Sequence, residues 1–561
     1  MKRLTAALFC FLAAAASASA REPDWSEGVR VPETGRANIY DLKQSRLKQA
    51  ITAGRLHSLH YPVEVTGLLI PLNPVKDLLD GPHENPFRAL LQKSIAKIAK
   101  LRSFDDIFRR LGAHEFPAES GAGAYYVPFP GGKRPDYRMG FTPVEHGGAL
   151  GFTLGCATCH TASLFGRAVV GLTNRFPRPY DLFVNGIRGL TIASGDFFQA
   201  TLGATDAETE MYDASRASAR FIEVKAPQTV GLDTSLAQVA LSPSKRAEDA
   251  DATLDPWNAA FPRREKLRTF AADSKPAVWW NVKYKNRWLL DGSVVSGNPI
   301  ATNLLWNEIG RGTDLQKLDS WLDGNRAVIQ ELTAAVFAAE APRFTDFFPA
   351  EGFDLPSGRR GEKIFLNRCA RCHGVYEKAW NRPDARNLSD AMRLETTRVR
   401  YHDRTPVIDV GTDPNRYQGM ETLSVALNRL ALSKKLGVQV TPQKGYVPPP
   451  LVGIWARWPY FHNNSAPSLC AVLTAGPLRT KSYYAGEAID RARDFDRECN
   501  GYPEGAAVPA EWKTNPAAFF DSKKPGLGPL GHDEEIFLDH NGREILSLPD
   551  KRDLIHFLQT L

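Results

Sequence analysis

Cys156-Ala157-Thr158-Cys159-His160 is the stretch that decides how this chain is read, and Cys369-Ala370-Arg371-Cys372-His373 repeats it. In a C-x-x-C-H sequence the two thiols can bond to the vinyl groups of a haem, and the adjoining imidazole then lies beneath the iron as its axial ligand. With 7 Cys and 12 His in 561 residues, chance composition supplies roughly 0.002 such motifs. A structural zinc site places its thiol pairs about 15 to 20 residues apart, whereas these lie far apart in the chain. A thioredoxin-like disulfide explains neither the repeat nor the histidines. Each stretch therefore reads as an attachment site for haem c. Cys156, Cys159 and His160 form the first and Cys369, Cys372 and His373 the second, with His160 and His373 as iron ligands.

Ahead of the first motif, Lys2 and Arg3 precede an apolar run over residues 4–16, and Ala18-Ser19-Ala20 supplies a small-residue cleavage pattern. Residues 1–20 thus read as a secretory signal peptide rather than a membrane span. Cys10 has no small residues before it, which argues against a lipid anchor. No later stretch reaches the roughly 18 continuous apolar residues that a transmembrane helix needs. The expected product begins near Arg21, spans no membrane and is periplasmic or secreted. Lys and Arg number 70 against 63 Asp and Glu, a near balance that gives no basic surface for nucleic acid. Beyond Cys10 and the motif thiols only Cys470 and Cys499 remain. In an oxidising compartment such a pair forms a disulfide, here worth roughly 3 kcal/mol.

The expected fold is mainly α with long irregular loops, built as two cytochrome c-like haem domains plus N-terminal and inserted extensions. After the signal peptide an N-terminal extension covers residues 21–120, the first haem domain 121–355 and the second 356–561, with the boundary near Leu355-Pro356-Ser357-Gly358. Leu90, Leu91, Ile95, Ile98 and Leu101 recur at helical spacing and predict an amphipathic helix within residues 86–102. Residues 206–255, rich in Ala, Ser and Asp, read as a surface excursion. Val328, Ile329, Leu332 and Val336 mark a helix ending before Pro342, and residues 359–368 a short helix delivering the second motif. Ser547 before Leu548-Pro549-Asp550 caps a closing helix.

His57 and His60 are either surface or hydrogen-bonded core histidines, or one of them reaches the distal side of the first haem. No histidine occurs between His160 and His373, so downstream the first iron lacks an imidazole to cap it or to act as a distal base. An iron without a sixth protein ligand can bind small molecules. Trp279 and Trp280, in a segment dense in aromatics and cations, are either core or part of a pocket or electron path. For the far side of the second iron the chain offers Met392 and Met420, or His402, His462, His532, His540 and His556. By residue type a bis-histidine site is favoured, with His556 assigned to helix packing.

The chain resembles the di-haem cytochrome c peroxidase superfamily, and within it the rubber oxygenase-like di-haem cytochromes. The resemblance rests on the two motifs, on Pro448-Pro-Pro-Leu-Val-Gly-Ile-Trp-Ala-Arg-Trp-Pro-Tyr-Phe-His-Asn-Asn-Ser-Ala-Pro-Ser-Leu469, and on Phe520-Asp-Ser-Lys-Lys-Pro-Gly-Leu-Gly-Pro-Leu-Gly-His532. It implies that His160 is the proximal ligand of a catalytic haem and that His373 holds an electron-transfer haem. It makes His532 the sixth ligand of the second iron, with His462 in reserve. Trp279 and Trp280 match an aromatic pair beside the rubber oxygenase active site, which adds them to His160 as catalytic candidates. Between Val294 and Leu305, however, there is no counterpart of that enzyme's distal phenylalanine. Classical peroxidases use a distal acid–base group, for which only upstream candidates such as His57, His60 or His146 are available.

The function expected is a haem-dependent oxidoreductase acting on O2 or peroxide, with an organic substrate and a small electron donor or acceptor protein as partners. The alternatives are a di-haem electron carrier with both irons six-coordinate and a catalytically silent haem sensor.

Overall fold

The computed structural model describes residues 21–82, 84–98, 101–178, 180, 182–234, 238–239, 242, 273–533 and 535–561; the leader over residues 1–20 lies outside them. The fold is mixed and mainly helical, with one three-stranded and four two-stranded sheets among the described residues. No described helix is long and apolar enough to cross a membrane. The helices that position the site are α1 (Gln44–Leu59), α2 (Pro299–Gly310), α3 (Arg326–Phe337), α4 (Leu355–Arg368) and α5 (Leu548–Gln559).

Strands β1 (Ile70–Pro71), β2 (Phe141–His146) and β3 (Ala149–Leu154) form the three-stranded sheet, in the order β1-β3-β2. Gly147 and Gly148 close the β2–β3 hairpin, both with positive φ (61° and 80°). A two-residue turn of that hand matches the twist of its strands and is open to glycine at both positions. Strand β3 runs directly into the first motif. A second hairpin, β4 (Thr161–Leu164) with β5 (Arg167–Val170), follows it. The second motif instead follows the C-terminus of α4 and continues into a short helical turn, Ala370–His373.

Two close helix pairs frame these stretches. Gly54 lets α1 lie against α3, since a Cβ there would stand 2.0 Å from the Glu331 carbonyl oxygen. Helices α4 and α5 approach through Gly361 and are tied by Ser357 and Arg360, both of which donate to the Asp553 carboxylate. Ser547 and Asp550 form a reciprocal capping box at the start of α5.

One apolar cluster runs from Tyr40 through Trp280 and Leu332 to Phe365, Trp455 and Phe557, so both halves of the chain share a core. Strand β6 (Val294–Ser296) also pairs with β7 (Gln439–Val440) across the two halves. At the expected boundary, Asp354 caps α4 by accepting from the Ser357 amide, and Leu355-Pro356-Ser357-Gly358 is the first turn of that helix.

Two local expectations are corrected. The start of the expected surface excursion over 206–255, Asp206–Ala219, is a packed helix, begun by a Thr205–Glu208 capping box and burying Met211 and Tyr212, while residues 243–255 lie outside the described residues. Alanine's helix propensity and the box outweigh the weak periodicity. In the helix Pro86–Ile98, Leu91 and Ile95 are half-buried, but Leu90 points outward at 62% exposure.

Candidate functional site

The first motif is held by backbone donors and acceptors on every side. After extended Gly155 the chain makes a 3-10 turn, Cys156–Thr158, in which the amides of Cys159 and His160 donate to the Cys156 carbonyl (3.2 and 3.0 Å). Asn174 fastens the turn from outside, its side-chain amide donating to Thr158 O at 2.8 Å and to Gly112 O at 2.7 Å. His160 donates through Nδ1 to the Ala277 carbonyl at 2.9 Å, which fixes the tautomer and reserves Nε2 for a metal. Its carbonyl accepts from Gly171, whose own carbonyl accepts from the Trp279 amide. The Trp279 indole consequently lies 6.0 Å from the His160 ring, centroid to centroid. Gly171 has φ 95°, and a Cβ on it would meet Trp279 at 3.0 Å, so only glycine fits there comfortably.

Cys156, Cys159 and His160 open on a cavity of about 810 Å³ including its open mouth. Its lining includes one face of α2, with Asn303, Trp306, Asn307 and Gly310 at helical spacing and Arg311 just beyond. Behind it lies a buried polar network. Tyr61 donates to Glu308 at 2.6 Å, Thr313 donates to the other carboxylate oxygen at 2.5 Å, and the Arg311 guanidinium lies 3.6 Å from Glu308 and over the Tyr61 ring. Burial and the Glu308 charge hold the Tyr61 phenol well above its ordinary pKa.

The second cavity, about 1330 Å³ including its mouth, is lined by Cys369, Cys372, His373, His462 and His532 together with Lys275 and Arg457. His373 donates through Nδ1 to the Pro449 carbonyl at 2.8 Å. The His373 and His532 rings are nearly parallel, 11° apart, with centroids separated by 6.4 Å. That gap is too wide for ring contact. His462 also lines the cavity but stacks on Tyr446 at 4.1 Å and shares a 3.1 Å hydrogen bond with its hydroxyl. Burial, then the charges of Arg457 and His402, lowers His373 to about 4; burial, then His373 and Arg479, lowers His532 to about 3. Burial also lowers His160. All three imidazoles are therefore neutral at neutral pH, the form that ligates metals. The four motif cysteines form no disulfide, and burial raises Cys156 and Cys159 and pushes Cys369 up to about 12. This donor set fits covalently attached haem: two thiols and an oriented imidazole in each cavity, with a second imidazole facing the first in cavity two.

Among the described residues, several other histidines are engaged elsewhere. His57 meets Glu331 at 2.9 Å, and His60 donates to Pro143 O at 2.6 Å. With exposed His146, neither lines the first cavity, so none of the upstream trio reaches a distal position there. His402 donates to Cys372 O, His540 bonds to Asn541 and His556 to Ser357. Met392 is exposed, and buried Met420 does not line the second cavity. The disulfide of the structure joins Cys470 to Cys499.

Trp279 and Trp280 line neither cavity. Trp280 is fully buried and donates to Val452 O at 2.8 Å, while Asn281 donates to Pro450 O at 2.9 Å. The strip 448–452 thus supplies carbonyls both to His373 of the second motif and to the Trp280–Asn281 turn beside the first. Prolines 448–450 carry no amide hydrogen, so their carbonyls serve as fixed acceptors.

Comparison with known proteins falls on the same strip. Residues 445–484 match the family described as RoxA-like, cytochrome c-like. The match takes in the proline strip, Arg457, the Pro459-Tyr460-Phe461-His462 stretch and Cys470, and a cytochrome c-like segment implies covalently bound haem c. It supports a RoxA-like cytochrome rather than features particular to di-haem peroxidases. The chain is also similar to two proteins of Sinorhizobium fredii (strain NBRC 101917 / NGR234), both described as uncharacterized. It is 27% identical to y4iM over 231 residues, covering 39% of this chain and 52% of the relative. To y4iJ it is 28% identical over 261 residues, covering 37% of this chain and 39% of the relative. The chain spans about half the length of the one and two fifths of the other.

Sequence reasoning missed two features of the first cavity. Trp306 lies one residue beyond the window in which an aromatic was sought, and the Tyr61–Glu308–Arg311 network joins distant segments. Asn298-Pro299, an N-cap followed by proline, was the available signal for α2, and helical spacing from Asn303 would then have aligned Trp306, Asn307 and Gly310.

Proposed function

We propose that this chain is a periplasmic di-haem c-type cytochrome, an oxidoreductase that activates O2 or peroxide at the first cavity and transfers or stores electrons at the second. The observation that carries this reading is the difference between the two faces opposite the motif histidines. His532 faces His373, whereas among the described residues lining the first cavity no imidazole, thioether or amine stands opposite His160. When bound, the haems would supply an iron able to take O2 or peroxide and a second site for an electron.

The chain's own residues supply the rest. Ala277 O orients His160 and raises its basicity as a ligand. Asn303 and Asn307 offer amide donors from α2, with Trp306 as an aromatic wall, so that a small polar molecule is bound beside an apolar surface. Trp279 beside His160 and Trp280 hydrogen-bonded to Val452 form a path of indoles toward the second cavity, whose wall includes Leu451 and Ile454. A small redox protein is the expected electron partner.

The test is the spin state of the oxidised protein. One high-spin and one low-spin signal are expected, with the high-spin signal responding to cyanide or peroxide; an entirely low-spin, unresponsive protein overturns the reading. That outcome would favour the second reading, an electron carrier with both irons closed, for which Tyr61, Tyr180 and Asp233 are oxygen donors lining the first cavity.

A further inference from the structure

Two cationic side chains line the second cavity and a third lies near them, with no carboxylate ion-paired to them among the described residues. Lys275 and Arg457 are part of the cavity wall. The Lys275 ammonium donates to the carbonyls of Pro459 (2.7 Å) and Arg457 (3.4 Å), and the Arg457 guanidinium to that of Pro450 at 3.0 Å. Arg175, 6% exposed, stands behind them, donating to Trp458 O at 2.9 Å and Ala456 O at 2.8 Å with its guanidinium 3.8 Å over the Trp458 ring. The hydrogen-bond acceptors of each cation are backbone carbonyls.

Buried cations elsewhere are of two kinds: Lys378 and Arg479 also rest on backbone carbonyls, but line neither motif cavity, whereas others have a counter-charge. Lys551 meets Glu544 at 2.8 Å, and Arg311 meets Glu308 at 3.6 Å. Here the cations instead act on one another: Lys275 is pushed well below its ordinary range by burial and then by the charges of Arg457 and Arg175. Near Arg457 the groups of potentially opposite sign are the phenols of Tyr376 and Tyr460, which burial keeps protonated. Charge collected at this depth is costly unless it is paired. The space it faces is the cavity, so the missing anion belongs to whatever fills that cavity.

We propose that Lys275 and Arg457 bind the propionate carboxylates of the haem attached at Cys369 and Cys372, with Arg175 supporting them from behind. This rests on the reading of that cavity as a haem site. An ammonium and a guanidinium suit the two carboxylates of one haem, and guanidinium can bind a carboxylate through two parallel hydrogen bonds. The same positive charge favours the reduced over the oxidised haem, so the cluster also raises the reduction potential of the second site.

The test uses the full-length holoprotein and the variants Lys275→Met, Arg457→Met and Arg457→Lys. Spectroelectrochemical titration of the low-spin signal should show a lower midpoint potential in each Met variant, a further fall in the double variant and partial recovery in Arg457→Lys. Intact mass reports the haem count independently. Unchanged midpoints with both haems attached overturn this inference alone, whereas an unmodified protein without a haem on Cys369 and Cys372 overturns the di-haem reading and this inference with it. Should the Met variants fail to fold, infrared redox difference spectra of unmodified protein with carbon-13-labelled propionates decide. Ionised carboxylate bands that shift on reduction at neutral pH are expected, and a protonated carboxyl band there refutes the pairing.

Discussion

The two C-x-x-C-H stretches share a pattern but not a setting. The first lies between two hairpins and opens on a cavity lined in part by a helix face of amides and one indole; the second follows a helix and opens on a cavity where another imidazole faces it across 6.4 Å. An attachment motif fixes what is bound. What the bound group does is set by residues far away in sequence: α2 for the first cavity, His532 and the proline strip for the second.

The contrast breaks most completely if attachment is removed. Cys369→Ser should reduce the haem count from about two per chain to about one, as should Cys156→Ser, each read by intact mass and each leaving the other signal in place. The two cavities should become alike in His532→Ala, which removes the facing imidazole. The low-spin signal in electron paramagnetic resonance is expected to become high-spin, and the second site to bind cyanide. His462→Ala, which removes the partner of Tyr446 instead, should leave that signal unchanged.

Acid sharpens the comparison from the first side. His114, which neighbours the Asn174 side chain that fastens the first motif, is lowered to about 4, by burial and then by Arg175, against about 6.5 in an unfolded chain. Between those values the unfolded state binds the extra proton. The stability contributed by keeping His114 neutral is therefore complete above pH 6.5 and is lost as pH falls toward 4, a change of up to about 3 kcal/mol. His114→Gln should flatten this acid limb in denaturant titrations without altering the low-spin signal of the second site. The smallest effect is expected from Tyr61→Phe. It removes one donor from buried Glu308 while Thr313 and Arg311 remain, costing about 1–3 kcal/mol by thermal unfolding.

The thiol–imidazole sets were legible because covalent chemistry demands fixed residue types at fixed spacing. The closing helix was legible through Ser547 and Asp550, whose cap is local. His532 entered from a resemblance and not from spacing, since it meets His373 only once the chain has folded back over more than a hundred residues. The hairpin setting of the first motif was signalled by Gly147-Gly148, but those glycines alone do not say that strands flank a haem site. The helix at Asp206–Ala219 was hidden by composition, its cap lying in Thr205 and Glu208 rather than in an apolar stripe. No sequence pattern discloses that Lys275 and Arg457 lack carboxylate partners, because an unpaired charge is defined by what surrounds it in space.

The proline strip at 448–450 has a consequence for anyone who would divide this protein. Its carbonyls are committed on one flank to His373 and on the other to Asn281. A fragment beginning near residue 356 would keep the strip but lose the Trp280 and Asn281 donors on one flank, leaving Arg457 as the side-chain donor to Pro450. The two halves of the chain are therefore poor modules for recombination: each was shaped around a seam that neither owns.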